Sequence, residues 1–116
     1  MQLKLYHNPR CSKSRQAKKM LEDRGISFET ILYLNNPLSS SELEKIIKNL
    51  SVEPNLLVRT KEDLFKNLNI NLEYLNDAIF VANLLSEHPK LMERPLLISS
   101  NKSSIGRPIE NFFDLI

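Results

Sequence analysis

Residues 3–33 hold two strand-like segments separated by a helical one, and this order limits the fold more than anything else in the chain. Leu3-Lys4-Leu5-Tyr6 alternates apolar and polar residues, so a strand is expected over about 2–6. Ala17, Met20 and Leu21 fall at helical spacing and Gly25 supplies a stop, which sets a helix over about 12–24. Phe28-Glu29-Thr30-Ile31-Leu32-Tyr33 is rich in aromatic and β-branched residues and reads as the second strand. Two strands joined through a helix run parallel, with a right-handed crossover.

The later chain has to complete that sheet. Asn35-Asn36-Pro37 breaks it, and Ser39-Ser40-Ser41-Glu42 then supplies a capping box for a helix bearing Leu43, Ile46, Ile47 and Leu50. Pro54 interrupts, a short helix is expected over about 60–67, and Asn76 is expected to cap another over about 77–87. Ile79, Phe80, Val81, Leu84 and Leu85 make that last helix apolar enough to be mostly buried; His88 closes it before Pro89. Leu96-Leu97-Ile98-Ser99 reads as a strand, Ser100-Asn101 as a turn, and Lys102 to Gly106 as its antiparallel return. Pro108 suits the first position of a final helix whose Ile109, Phe112, Phe113 and Ile116 form an apolar stripe, with both phenylalanines in the core. The sum is β-α-β, a helical insert over about 38–90, then β-β-α, all within one domain of 116 residues. That order describes an α/β protein with a mixed sheet and helices on both faces, the thioredoxin-like arrangement.

The chemistry concentrates in His7-Asn8-Pro9-Arg10-Cys11-Ser12-Lys13-Ser14-Arg15, the turn from the first strand into the first helix. Cys11 is the only cysteine, placed where unpaired amide groups and the positive end of the helix dipole favour a thiolate. To be mostly ionised at neutral pH, a thiol has to drop by roughly two pKa units, about 2.7 kcal/mol. A helix terminus supplies about 0.3–1 kcal/mol, at most ~2. Nearby donors and cations have to supply the rest. Arg15 lies on the same helical face, Ser14 offers a hydroxyl, and Arg10, Lys13 and His7 add positive potential. The opposite reading, a cysteine serving as a small buried hydrophobe, suits apolar neighbours; these are polar and cationic.

The remaining composition excludes several classes. Sixteen basic against fourteen acidic residues leave +2, too mild for a nucleic-acid footprint. No apolar run approaches the ~20 residues of a membrane span, and there is no signal-peptide core. A lone cysteine cannot form an internal disulfide, so a cytoplasmic protein is expected. One cysteine and two distant histidines do not make a zinc site, and no bound cofactor or metal is expected. Nothing in the sequence demands more than a monomer.

His7-Asn8-Pro9, Cys11-x-x-Ser14-Arg15, Arg59, Arg94-Pro95 and Gly106-Arg107-Pro108 together resemble the glutaredoxin-dependent arsenate reductases of thioredoxin-like fold, the ArsC-like family. The resemblance covers essentially the full chain and is greatest to a short subgroup without a C-terminal extension. It implies that Cys11 is the nucleophile attacking arsenate, that Arg59, Arg94 and Arg107 bind the oxyanion, and that His7, Ser14 and Arg15 tune or orient the thiol. It implies a cis peptide at Arg94–Pro95, and glutathione as co-substrate with glutaredoxin as partner. The unrelated arsenate reductases with a Cys-x5-Arg loop are excluded, because Ala17 stands where that arginine would be. Ser14 occupies the place of a second cysteine, so turnover needs an outside thiol. Two other functions share these features: a Spx-like regulator that binds RNA polymerase, and a glutathione-dependent thiol oxidoreductase with another substrate. The bland readings also stand: Arg59 as a surface charge beside Glu62 and Asp63, Arg94 and Arg107 as solvated strand-end arginines, and His7 as a structural histidine.

Overall fold

In the computed structural model, which describes residues 2–116, the expected β-α-β unit opens the chain. Strand β1 (Leu3–Tyr6) leads through helix α1 (Ser12–Asp23) to strand β2 (Phe28–Ile31), and β1 and β2 pair in parallel with Leu3 opposite Phe28. Helix α1 ends on Gly25, whose φ of 68° lies in the left-handed region. Gly25 N–H donates to the Glu22 carbonyl and Ile26 N–H to the Leu21 carbonyl, the paired closure of a Schellman cap. Strands β3 (Leu96–Ile98) and β4 (Ser103–Ile105) complete a sheet ordered β2-β1-β3-β4. The β1–β3 and β3–β4 pairings are antiparallel, so the sheet is mixed, as a thioredoxin-like fold requires.

The chain divides into two units. One takes in the segment up to Asn36 together with Arg94–Ile116; the other is Pro37–Glu93. In the first, Leu3, Leu5, Ala17, Leu21, Leu97 and Phe112 form the buried cluster. The final element differs from the expected α-helix: Ile109–Asp114 is a 3₁₀ helix with Pro108 as its cap residue instead of its first turn. At three residues per turn, Ile109, Phe112 and Leu115 share the inward face, while Phe113 rotates outward and is 43% exposed. The Arg24 guanidinium lies over the Phe113 ring, 4.5 Å from its centroid. The Phe pair is therefore split, one in the core and one under a cation.

The second unit carries α2 (Ser40–Lys48), α3 (Asp63–Leu68) and α4 (Ala78–Glu87), with 3₁₀ turns at Pro54–Leu57, Leu72–Asn76 and Pro89–Leu91. The Ser39–Glu42 capping box forms as expected; α2 packs on α4, and α2 buries Leu43, Ile46 and Ile47 while α4 buries Val81, Ala82, Leu84 and Leu85. The cap of α4 is Asp77, one residue beyond Asn76: its carboxylate accepts from the Ile79 and Phe80 amides, while Asn76 ends the preceding 3₁₀ turn. Ile79 in the first turn of α4 is 59% exposed, so that helix is less fully buried than its composition suggests. Val58 and Met92 form an antiparallel bridge, flanked by Arg59 N–H to Leu91 O and Glu93 N–H to Leu57 O, each 2.7 Å. No helix among the described residues is long and apolar enough to cross a membrane.

Candidate active site

The loop after β1 is tied down residue by residue. His7 N–H continues the parallel pairing by donating to Ile31 O. Asn8 turns the chain: its Oδ1 accepts from Arg10 N–H and its carbonyl from Cys11 N–H, both at 3.0 Å. Cys11 then takes the N-cap position of α1 with extended backbone (φ −95°, ψ 123°), and its carbonyl accepts the first helical bond from Arg15 N–H. Strand geometry thus delivers the cysteine to the helix mouth, as its place in the sequence implies.

Beneath it lies a buried polar knot. The Ser14 hydroxyl, with no exposed surface, sits 2.6 Å from His7 Nδ1 and accepts Asn8 N–H at 3.1 Å. The hydroxyl is thus engaged by His7 and Asn8; what Ser14 offers the sulfur is its backbone N–H. Burial lowers the His7 pKa below its ordinary value, and the Lys18 and Arg15 charges lower it further against a smaller opposing pull from Glu22. A neutral imidazole follows at neutral pH, filling the space under the loop without adding charge. The Arg15 guanidinium donates to the Pro9 carbonyl at 2.9 Å, closing the loop from outside.

The sulfur itself meets groups from remote parts of the first unit. Partial burial pushes the Cys11 thiol up, but the Ser14 amide, a hydrogen bond from the Arg94 side chain, the Lys13 amide and the Arg107 charge outweigh it. The result is a pKa below that of an ordinary cysteine. No amide closes a full cap hydrogen bond to Sγ, yet the Ser14 and Lys13 N–H groups favour the anion. Arg107 Nη2 donates to Sγ at 3.4 Å, while its Nε donates to the Arg94 carbonyl at 2.8 Å. Antiparallel pairing brings the two arginines together, one entering β3 and the other leaving β4, with Leu96 opposite Ile105. Both precede cis prolines, at Arg94–Pro95 as expected and at Arg107–Pro108, which the sequence did not reveal. Two guanidinium groups against one thiolate leave a positive surplus suited to an oxyanion.

Arg59 belongs to the second unit, where two carboxylates clamp it. Its Nε donates to Glu62 at 3.1 Å and its Nη1 to Glu93 at 2.6 Å, and the side chain is only 22% exposed. The neighbouring Glu62 was visible in the sequence, whereas Glu93 arrives through the Val58–Met92 bridge. Burial alone would lower the Arg59 pKa; the two carboxylates reverse this and hold it raised. Asn8 entered the sequence reading only as part of the His7-Asn8-Pro9 motif, with no role for its side chain, although Asn before Pro is a recognised turn signal. Among the described residues, no group of three or more His, Cys, Asp or Glu side chains is arranged to hold a metal ion.

Known proteins share this architecture. The arsenate reductase of Neisseria meningitidis is 43% identical over 112 residues, spanning 95% of this chain and 94% of that protein. That of Haemophilus influenzae is 41% identical over 118 aligned positions, spanning the whole of both chains. The solved structure of an arsenate reductase from Vibrio cholerae matches with a TM-score of 0.85 at 35% identity, over 100% of this chain and 98% of that one. The ArsC family model matches residues 6–114, from the end of β1 through the last 3₁₀ helix. A cysteine at the mouth of α1, met by arginines from either end of a β-hairpin, thus sits in a chain that belongs to the ArsC family.

Proposed function

We propose that this chain is a cytoplasmic, monomeric arsenate reductase that draws its electrons from glutathione and is regenerated by glutaredoxin. The observation that carries the reading is the Cys11 sulfur with a lowered pKa, in hydrogen-bond contact with both Arg94 and Arg107. Arsenate at neutral pH is an anion, so an attacking thiolate meets repulsion unless cations neutralise it. Planar guanidinium groups can grip two oxygens at once, and donors aimed where charge develops act more strongly in the transition state than in the ground state. In this reading Arg94 and Arg107 hold the oxyanion and Cys11 Sγ displaces one oxygen as water, forming a sulfur–arsenic bond. The thiolate of glutathione then attacks Cys11 Sγ; the sulfur–arsenic bond breaks, its electron pair stays on arsenic, and arsenite leaves. One arsenate and two thiols give arsenite, one mixed disulfide and water, with arsenic gaining the two electrons the sulfurs lose. Glutaredoxin takes the glutathione from Cys11 by thiol exchange. The resemblance assigns Arg59 a third place on the oxyanion, and a guanidinium has five N–H donors, more than its two carboxylate contacts use.

The test is NADPH oxidation in a system containing arsenate, glutathione, glutaredoxin and glutathione reductase. Cys11→Ser is expected to abolish turnover, and Arg59→Ala, Arg94→Ala and Arg107→Ala each to reduce kcat/KM by about 10²-fold. Full arsenate turnover by Cys11→Ser would refute the assignment. Turnover with low-molecular-weight disulfides in place of arsenate would instead favour a general thiol oxidoreductase.

A further inference from the structure

The geometry points to Asn111 as the positioning residue that aims Arg107 at the sulfur; this rests on the reading of Arg107 as an oxyanion ligand. Arg107 leaves β4 through Gly106, which has no side chain to anchor the segment and is held on one side by its N–H to Pro95 O. Asn111 holds the other side. Its Nδ2 donates to Ile105 O at 3.0 Å and to Arg107 O at 3.3 Å, so one amide group spans the three residues that carry the arginine. The Asn111 backbone is itself fixed, its carbonyl accepting from Ser104 Oγ and its N–H donating to Pro108 O, both at 3.0 Å. Two carbonyl acceptors on one atom require that atom to be the nitrogen, so the orientation of the amide is set by its partners.

An exposed arginine is flexible, and its head group goes where its backbone origin and its anchors allow. Here the anchors are the Arg94 carbonyl on Nε and the Cys11 sulfur on Nη2. A donor displaced by about 1 Å loses most of its effect on a reacting atom. Releasing Ile105 O and Arg107 O would free the Arg107 Cα to drift by such a distance. Aspartate at 111 has the same shape but no donor, and its charge would face two carbonyls. Alanine removes the donor without adding charge, and Asn111 is exposed enough that neither change opens the core.

The experiment uses the full chain and two readouts: the Cys11 titration followed by thiolate absorbance, and kcat and KM for arsenate. Asn111→Asp and Asn111→Ala are expected to raise the thiol pKa by about half a unit and the arsenate KM by about 3–10-fold, with kcat falling less than KM rises. Asn111→Ala carries the test if Asn111→Asp does not fold. In an Arg107→Ala background, Asn111→Ala is expected to add nothing further. The inference is overturned if Asn111→Ala lowers the melting temperature yet leaves titration and KM unchanged, or if its effects persist in full without Arg107. If Arg107→Ala alone moves neither readout, the oxyanion reading of Arg107 fails, and this inference with it.

Discussion

Replacing Gly106 by alanine tests whether close packing at the end of β4 sets both stability and the thiol. The Gly106 backbone is not left-handed, so space and not φ selects glycine there. An added Cβ would lie 2.6 Å from Phe112 Cζ, 3.0 Å from Phe112 Cε1 and 2.8 Å from Pro95 Cγ. Carbon atoms settle near 3.5–4.0 Å, so about 1 Å of movement is needed on two sides at once. Phe112 is fully buried among Leu3, Leu5, Ala17, Leu21 and Leu97, and Pro95 is a ring with little freedom. Overpacking typically costs about 1–3 kcal/mol, and two opposed contacts put this substitution at about 2–3 kcal/mol. Denaturant unfolding should show a lowered midpoint with an unchanged slope. Displacement would fall on the two residues attached to the clash, Arg107 after Gly106 and Arg94 before Pro95, so the thiol pKa should rise as well. Phe112→Leu in the same background would relieve the contact, giving a coupling of about 1 kcal/mol or more. A Gly106→Ala variant as stable as the parent, or strictly additive with Phe112→Leu, would refute the packing argument.

Two further outcomes follow from single groups. Asp77→Ala removes the acceptor for the Ile79 and Phe80 amides and should destabilise the chain by about 1 kcal/mol in urea unfolding, whereas Asn76→Ala should stay within about 0.5 kcal/mol. His7 has a folded pKa below its unfolded value, near 6.5, so the folded state binds fewer protons: its contribution to stability is complete above about pH 6.5 and is lost as pH falls through the folded pKa. His7→Gln should therefore flatten the acid side of the stability–pH curve, measured by unfolding at a series of pH values; a slope unchanged from the parent would place the titrating group elsewhere.

What the sequence made legible depended on local causes. The β-α-β opening was readable because alternation, helical spacing and Gly25 each act within a few residues, and the placement of Cys11 followed from the junction they define. The α4 cap was missed by one residue because Asn76 and Asp77 both suit the role, and the choice fell to the 3₁₀ turn that ends on Asn76. The last helix kept Ile109 and Phe112 inward but changed its period, which brought Leu115 to the inner face and left Phe113, beneath Arg24, and Ile116 exposed. Sequence assigns the Ser14 hydroxyl to the thiol, whereas in the fold that hydroxyl goes to His7 and Asn8 and the Ser14 amide faces the sulfur. Asn111 carried no signal at all, since its two acceptors are backbone carbonyls, which no side-chain pattern marks.

The acidity of Cys11 is a tertiary property, although the residues beside it made it look local. In the unfolded chain the thiol has Arg10, Lys13 and Arg15 for company, all solvated and screened. In the folded chain two of the four groups that favour the thiolate are amides fixed by the start of α1, and the other two are arginines near the opposite end of the sequence. Arg107 lies 96 residues away from Cys11 and reaches it only because β3 pairs with both β1 and β4. The helix mouth alone is worth about 0.3–1 kcal/mol, and partial burial opposes it. The hairpin arginines thus add to the Ser14 and Lys13 amides in holding the thiol below its ordinary value. Any change that loosens the β3–β4 ends should raise the thiol pKa, because Arg94 and Arg107 reach the sulfur from those two ends.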